Sequence, residues 1–557
     1  MENQWWKRAV VYQLYPRSFS DSNGDGQGDL KGVTAKLDYI KWLGVDVVWL
    51  CPVYASPNAD NGYDISDYYS IMDEMGTIGD WEALKNGLHS RGIKLIMDMV
   101  LNHTSDQHPW FIESRSSRDN PKRDWYIWRK GKPDGSEPNN WGSFFSPSAW
   151  EYDEKTGEYY LHMFSPKQPD LNWENPDVRQ ALYNVIRFWL DKGVDGFRFD
   201  VANMYSKVQG FPEAPEFVPG SKYQFPIVHV YNGPRIHEFI QEMNREAFAG
   251  RDIMTVGEGP FVTPELALQY AGFDTHEFDM VFHFEHVIKG GLWTSFMPYD
   301  FIEFKQTLNR FQTTLYGKAW NSLYLSNHDQ PRQVSRFGND RKYLVRSAKL
   351  LGTMIHMQQG TPYVYQGEEL GMTNIPFTRF DQYRDLDSFN YIAQSRAMGM
   401  PDDLILSALN RSSRDNARTP MQWSAEKNAG FTAGTPWIEV NPNYPEINVE
   451  TETGDPSSVL NYYRRLIRLR KEMPVIVYGS FIPLMEEHPQ FYCWIREYEG
   501  ERLLVVLNFS DTDAGFALPE GITAGSEKRV LSNAGREKLN LGSDTIGPWE
   551  AYVCILE

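Results

Sequence analysis

Three cysteines in 557 residues, Cys51, Cys493 and Cys554, are too few, too scattered and odd in number for a disulfide framework. Each lies in an apolar, strand-like run, which reads as a reduced core thiol from a reducing compartment. Long apolar runs are missing too: nothing approaches the roughly 18 consecutive apolar residues of a membrane helix. The opening Met-Glu-Asn-Gln-Trp-Trp-Lys has no apolar signal core. The expectation is a cytoplasmic protein with no membrane partner. Positive charge is also scarce. Lys and Arg total 55 against 74 Asp and Glu, a net charge of −19, which argues against nucleic acid or an anionic membrane as partner. A small, neutral ligand is left, and a monomer is the default. Aromatics, by contrast, reach 14%, with 18 Trp and 31 Tyr. That is more than a plain core calls for, and flat apolar rings are surfaces on which the C–H faces of sugars stack.

Strand-like runs alternate with helical ones along most of the chain. Strands are expected at 10–15, 45–50, 94–101, 196–202, 253–257, 280–284, 322–325 and 362–365, and helices at 30–43, 81–90, 175–192, 235–249, 341–357 and 459–471. Eight alternating units predict an α/β fold, a closed (β/α)8 TIM barrel with its active site at the C-terminal ends of the strands. The alternation breaks where Trp, Pro, Gly and Asn crowd together after the third strand. From about residue 475 the pattern turns to alternating apolar and polar residues, as in an antiparallel β domain. The division expected is 1–104 and 175–474 for the barrel, 105–174 for a loop-rich insertion and 475–557 for the C-terminal domain.

The fourth strand, Gly196-Phe-Arg-Phe-Asp-Val-Ala202, is apolar yet carries Arg198 and Asp200. Alternation puts those two on one face and Phe197, Phe199 and Val201 on the other. A lone Arg-x-Asp also reads as a buried structural ion pair. Here, however, Asp200 ends strand four, Glu258 ends strand five and Asp329 ends strand seven, with His103 and His328 beside them. Three carboxylates on one rim repel one another, so a fold keeps them together only with compensation or for chemistry.

Asp98-Met-Val-Leu-Asn-His103, Gly196-Phe-Arg-Phe-Asp-Val-Ala202, Val256-Gly-Glu258 and Ser326-Asn-His-Asp329 resemble, in order, the four signature segments of the α-amylase family of glycoside hydrolases. Gln168-Pro-Asp-Leu-Asn172 resembles a fifth, in the form carried by the oligo-1,6-glucosidase group. The likeness spans essentially the whole chain. It implies Asp200 as nucleophile, Glu258 as general acid/base and Asp329 as the residue that grips the sugar hydroxyls and distorts the ring. A retaining glycosidase wants that set independently: two carboxyl groups about 5 to 5.5 Å apart in unlike environments. Arg198 should hold Asp200 ionised, Glu258 should sit in a drier, more acidic setting, and His103 and His328 should donate to hydroxyls of the same sugar. No organic cofactor is called for.

The same matching extends the pocket. Asp60, Asn61-Gly-Tyr63-Asp64 and Arg414 resemble the segments that clamp a non-reducing end. An acid and a base closing one end make a blind pocket and imply exo action, with Phe164 and Phe145 either as stacking walls or as packing within the insertion. Asp21-Ser-Asn23-Gly-Asp25-Gly-Gln27-Gly-Asp29 sets oxygen ligands at alternating positions, as hard cations prefer, but no Glu closes an EF-hand loop and no helix precedes it. The resemblance implies one structural Ca2+ or Mg2+ held by Asp21, Asn23, Asp25, Asp29 and the carbonyl of Gln27. A plain Asp/Asn/Gly turn is the other reading.

Within the resembling group, Val after the nucleophile goes with α-1,6 linkages and Ala or Thr with α-1,4, so Val201 implies isomalto-oligosaccharide substrates. Gly259 departs from the usual Met, which is expected to open space beside the acceptor site. Sucrose isomerases carry an Arg-Leu-Asp-Arg cluster that residues 286–292 lack. An α-1,4-preferring or transglucosylating enzyme and a trehalose-6-phosphate hydrolase share the scaffold. So do non-catalytic transporter subunits, which have lost the carboxylates and carry a membrane helix.

Overall fold

The computed structural model describes residues 4–145, 147–288 and 299–557. Eight short parallel strands form its centre: β1 Val11–Leu14, β2 Val47–Leu50, β3 Lys94–Met99, β4 Gly196–Phe199, β5 Met254–Gly259, β6 Met280–His283, β7 Ser322–Leu323 and β8 Thr361–Tyr365. They neighbour one another in the order β6-β5-β4-β3-β2-β1-β8-β7. A parallel bridge from Val281 to Asn321 joins β6 to the residue before β7 and closes the ring. Nearly every strand residue is buried, as expected of a parallel sheet covered by helices.

Aromatic side chains fill the barrel. Phe282 packs against Trp49 at 5.5 Å, Tyr324 at 5.2 Å and Tyr363 at 4.5 Å between ring centroids. Trp81, Trp141, Trp173, Trp189 and Trp494 are also completely buried. Much of the aromatic surplus therefore serves packing rather than ligand stacking, because rings fill a wide barrel interior at little entropic cost.

Three expected elements change shape, among them the helix at 235–249, which passes from Ile236–Met243 into a π-helical turn, Asn244–Phe248. The helix at 30–43 breaks into Leu30–Ala35 and Leu37–Leu43. The Thr34 hydroxyl bonds back to the Leu30 carbonyl at 2.8 Å, and the Lys36 N–H turns to the Val33 carbonyl, tightening the last turn. Strand four ends at Phe199 rather than 202. Asp200 still donates its N–H to the Met99 carbonyl, but Val201 takes a left-handed conformation with φ 37° and the chain curls into a short 3-10 turn, Ala202–Met204.

Between β3 and β4 lies a small sheet of Trp128–Arg129, Glu158–Leu161 and Trp150–Asp153. It is tied to the end of β3 where Leu171 donates to the Asn102 carbonyl. The return helix Pro176–Asp191, capped by Asn175, carries the chain back to β4. At the C-terminus, five antiparallel strands, Ser480–Leu484, Phe491–Tyr498, Glu501–Asn508, Ala551–Leu556 and Glu527–Ser532, form a separate sheet in that order. The buried Lys305, on helix Phe301–Leu315, reaches into this domain and donates to the carbonyls of Met485, His488 and Phe491.

Candidate active site

Asp98 on β3 stands in register with Arg198 on β4, so both side chains face the barrel interior side by side. Arg198, 2% exposed, ion-pairs with Asp98, reaches Asp200 Oδ1 at 2.8 Å through Nη1 and reaches Glu258 Oε2 at 2.7 Å through Nη2. Asp98 also accepts from Trp49 Nε1 at 2.8 Å and Tyr63 Oη at 3.3 Å. One guanidinium therefore serves three carboxylates. Burial pushes the Asp200 carboxyl well above its ordinary range; Arg198 pulls it down, and Glu258, Asp98 and Asp329 push it up again.

Asp329 is the opposite case. Burial raises it, but the His328 imidazole and the Arg414 and Arg418 guanidiniums outweigh burial and hold it well below the usual carboxylate range. Arg414 Nη1 and Arg418 Nη2 lie 3.1 and 2.7 Å from its Oδ1. Gln13 donates to His328 Nδ1 at 2.9 Å, so the ring proton sits on Nε2, 3.1 Å from Asp329 Oδ2. Tyr63 stacks flat on that imidazole, 5.1 Å away and 3° from parallel.

Asp60 closes one end. Its Oδ1 is 3.3 Å from Arg414 Nη2, and its Oδ2 accepts from Gln168 Nε2 at 3.1 Å. Arg414 is anchored from behind by Asp385, through Nε at 2.7 Å and Nη2 at 2.6 Å. The pocket is lined by Asp60, Tyr63, His103, Asp200, Val201, Glu258, Asp329 and Arg414, with Phe145, Phe164, Phe144, Tyr231, Phe284, Pro260 and Gln330 completing its walls. Phe164 lies between Phe144, stacked at 4.9 Å, and His103 at 5.0 Å. A larger cleft of about 910 Å3 beside Arg341, Asn374 and Arg411 contains none of these carboxylates, so volume alone does not locate the chemistry.

Arg198, Gln168 and His328 pack against the residues of the wall. Arg198 supports the carboxylates, Gln168 supports Asp60, and His328 supports Asp329. His103 lines the pocket, with its Nε2 3.1 Å from the Tyr63 carbonyl and 3.2 Å from Gln168 Nε2. Burial lowers its pKa, against the pull of Asp170 and Asp60. Val201 departs from the expected alternation. Its left-handed turn takes it off the Phe197/Phe199 face and into the pocket, and its N–H donates to Glu258 Oε2 at 2.8 Å. Gly259 does not open the acceptor site, because a Cβ there falls 2.6 Å from Val262 Cγ2 and 2.9 Å from Val281 Cγ2, on the packed side of β5.

The 21–29 loop is organised by its own hydrogen bonds. Asp21 accepts from the N–H groups of Asn23, Gly24 and Gly26, Asp25 accepts from Gln27 N, and Asp29 caps the helix Leu30–Ala35 while bonding Ser22. Among the described residues no three acidic, histidine or cysteine side chains gather as a metal cage. Of the segment contrasted with sucrose isomerases, residues 289–292 lie outside the described residues, as do residues 1–3 of the opening segment. The sequence reading missed Asp385, Arg418 as a ligand of Asp329, and the walls Phe144, Tyr231, Phe284 and Gln330. Arg418 sat in the segment that supplied Arg414, but nothing in the spacing distinguished Asp385 from an ordinary helix start.

The alpha amylase catalytic-domain family matches residues 13–479, and the alpha-amylase SusG C-terminal domain matches residues 492–553. The chain is 56% identical to the oligo-1,6-glucosidase of Parageobacillus thermoglucosidasius, covering 99% of each chain. It is 48% identical to the trehalose-6-phosphate hydrolase of Bacillus subtilis, over 99% of this chain and 98% of that one. Among solved structures it is similar to the trehalose-6-phosphate hydrolase of Bacillus licheniformis, with TM-score 0.94, 47% identity and full coverage of both chains.

Proposed function

Because the chain belongs to the α-amylase family of glycoside hydrolases, we infer that it is an exo-acting, retaining α-glucosidase that cleaves α-1,6-glucosidic bonds at the non-reducing ends of isomalto-oligosaccharides such as isomaltose and panose. The observation that carries the reading is the blind pocket: Asp60 and Arg414 close one end, and Asp200, Glu258 and Asp329 share its wall. A pocket with one closed end takes a chain terminus rather than a chain interior.

Asp200 attacks the anomeric carbon and Glu258 protonates the departing oxygen. Both carboxylates touch one guanidinium, which suits the close pair of a double displacement better than the roughly 6.5 to 9.5 Å of an inverting pair. Glu258 Oε2 already accepts from Val201 N and Arg198, so Oε1 is the oxygen that carries the proton. The same carboxylate then takes a proton from water as the glucosyl ester is hydrolysed. Asp329, held ionised, strengthens its hydrogen bonds to the ring hydroxyls as the oxocarbenium-like transition state forms.

Linkage rests on Val201 and on the names of the relatives. Its methyls narrow the space beside the scissile oxygen, and the exocyclic carbon of a 1,6-linked acceptor holds the second ring away from them. A trehalose-6-phosphate hydrolase needs a cation for the phosphate, whereas Arg414 on the wall and Arg198 behind it are each bound to carboxylates. The test is to incubate the protein with isomaltose, panose, maltose, sucrose and trehalose 6-phosphate and resolve the products. Isomaltose should be preferred, and Val201→Ala should raise kcat/KM for maltose relative to isomaltose by roughly 10- to 200-fold. Equal use of both sugars by the wild type overturns the linkage.

The division at 104, 174 and 474, a cytoplasmic monomer and a Ca2+ or Mg2+ in the 21–29 loop belong to the same reading. Donor chemistry supports the cation, which would be held by Asp21, Asn23, Asp25, Asp29 and the Gln27 carbonyl. The loop's hydrogen bonds compete with it. If it binds, EDTA lowers Tm more than activity at 25 °C; an unchanged Tm removes the cation. Among the described residues no helix is long and apolar enough to cross a membrane.

A further inference from the structure

Gln330 stands out among the pocket residues. It is 2% exposed and lines the pocket beside Asp329, yet its Oε1 is buried with no hydrogen-bond partner, and no described residue bonds either end of its side-chain amide. The carboxylates on that wall are matched, Asp329 by two arginines, Asp60 by Arg414 and Gln168, Glu258 by Arg198 and Val201, and besides the Gln330 amide the Tyr231 hydroxyl is a pocket group left without a partner. An unmatched buried amide is destabilising relative to a paired one. An apolar side chain of the same size would avoid that cost.

We propose that Gln330 is a substrate-binding residue that hydrogen-bonds a hydroxyl of the leaving sugar, and so discriminates a sugar leaving group from one without hydroxyls. The side assignment follows from chain direction. At the C-terminal ends of barrel strands the chain runs outward from the floor. Gln330 follows Asp329 in the chain as Val201 follows Asp200 and Pro260 lies beyond Glu258, and all three line the pocket together. The Asp60–Arg414 pair closes the far end on the glucosyl unit being transferred, so the next sugar lies toward the mouth. An amide offers both a donor and an acceptor to a hydroxyl, whichever way round it is set.

The proposal rests on the glucosidase reading, and its test separates the two. Isomaltose and p-nitrophenyl α-glucoside deliver the same glucosyl unit to Asp200 and differ only in what leaves. Gln330→Leu should lower kcat/KM for isomaltose by roughly 5- to 100-fold, the effect of one hydrogen bond in a desolvated site, while the aryl glucoside changes by less than about 3-fold. Gln330→Met supplies a second apolar variant should the leucine protein not accumulate. An equal loss with both substrates overturns the proposal, since the amide would then serve the transferred sugar or the pocket's shape, and so does no loss with either. If the wild type cleaves maltose and ignores isomaltose, the linkage reading fails, and the same comparison with maltose as the sugar substrate still decides the role of Gln330.

Discussion

At the scale of single residues, the site is a place where stability has been given up. Asp98, Asp200 and Glu258 surround one guanidinium, and burial holds Asp200 well above its ordinary range. A carboxyl with a raised folded-state pKa contributes stability that is present below its unfolded pKa and lost as pH rises through the folded one. Asp200→Asn removes that penalty. The variant should therefore lose nearly all turnover yet melt higher than the wild type at pH 7 to 8, with the difference shrinking as pH falls and the wild-type carboxyl protonates. Thermal scans across pH check it, and an unchanged or lower Tm at pH 8 would contradict it. Val201 stores strain of another kind. A left-handed conformation is costly for a β-branched residue, on the order of 1 to 3 kcal/mol. Glycine is ordinarily less stable than alanine at a given position, but here the order should reverse, with Val201→Gly melting above Val201→Ala. The three carboxylates were legible in the sequence because strand-end position fixes them. The turn at Val201 was not, since alternation along a strand carries no warning that the strand stops at Phe199, three residues early. Nor was Asp385, because it acts on the pocket through Arg414 and Arg418.

At the scale of elements, strand identities and order were readable while their ends were not. Short apolar runs bounded by Gly, Asn and Pro mark a buried strand, but where pairing stops is decided by tertiary bonds. The loops after β7 and β8 show how such bonds work. Glu368, buried just after β8, accepts from the Ser326 hydroxyl three residues past β7 and so ties down the segment that carries Asp329. Burial pushes Glu368 up to about 8, against the Ser326 hydrogen bond and with the push of Glu369. The folded chain therefore keeps this proton while the unfolded chain loses it from about pH 4.3 upward. Stability from this group should decline between that pH and about 8, and Glu368→Gln should flatten the decline. Urea midpoints measured at pH 5, 6, 7 and 8 test it: parallel curves for the two proteins would show that Glu368 is ionised in the fold.

At the scale of the whole molecule, the barrel and the C-terminal sheet are held by more than apolar contact. Lys305 donates to the carbonyls of Met485, His488 and Phe491, at 2.9, 2.6 and 2.9 Å. Burial lowers its pKa to about 8. Lys305→Met keeps the stem but leaves those carbonyls unmatched, at about 1 to 3 kcal/mol for each one left buried. Hydrogen exchange should then quicken in the turn at 485–491 before it does in the barrel strands, with Tm lowered; unchanged exchange there would remove Lys305 as the tie.

The closed end of the pocket also sets an order of traffic. With Asp60 and Arg414 across one end, the described pocket leaves the mouth as the way in and out, so the transferred glucose is the first sugar in and the last out. The leaving sugar must depart before water can reach the glucosyl ester, and any sugar that lingers at the mouth stands where that water has to be. Free glucose should accordingly compete with substrate for the empty enzyme. A second sugar at the mouth should instead divert the ester into a longer oligosaccharide, in proportion to its concentration.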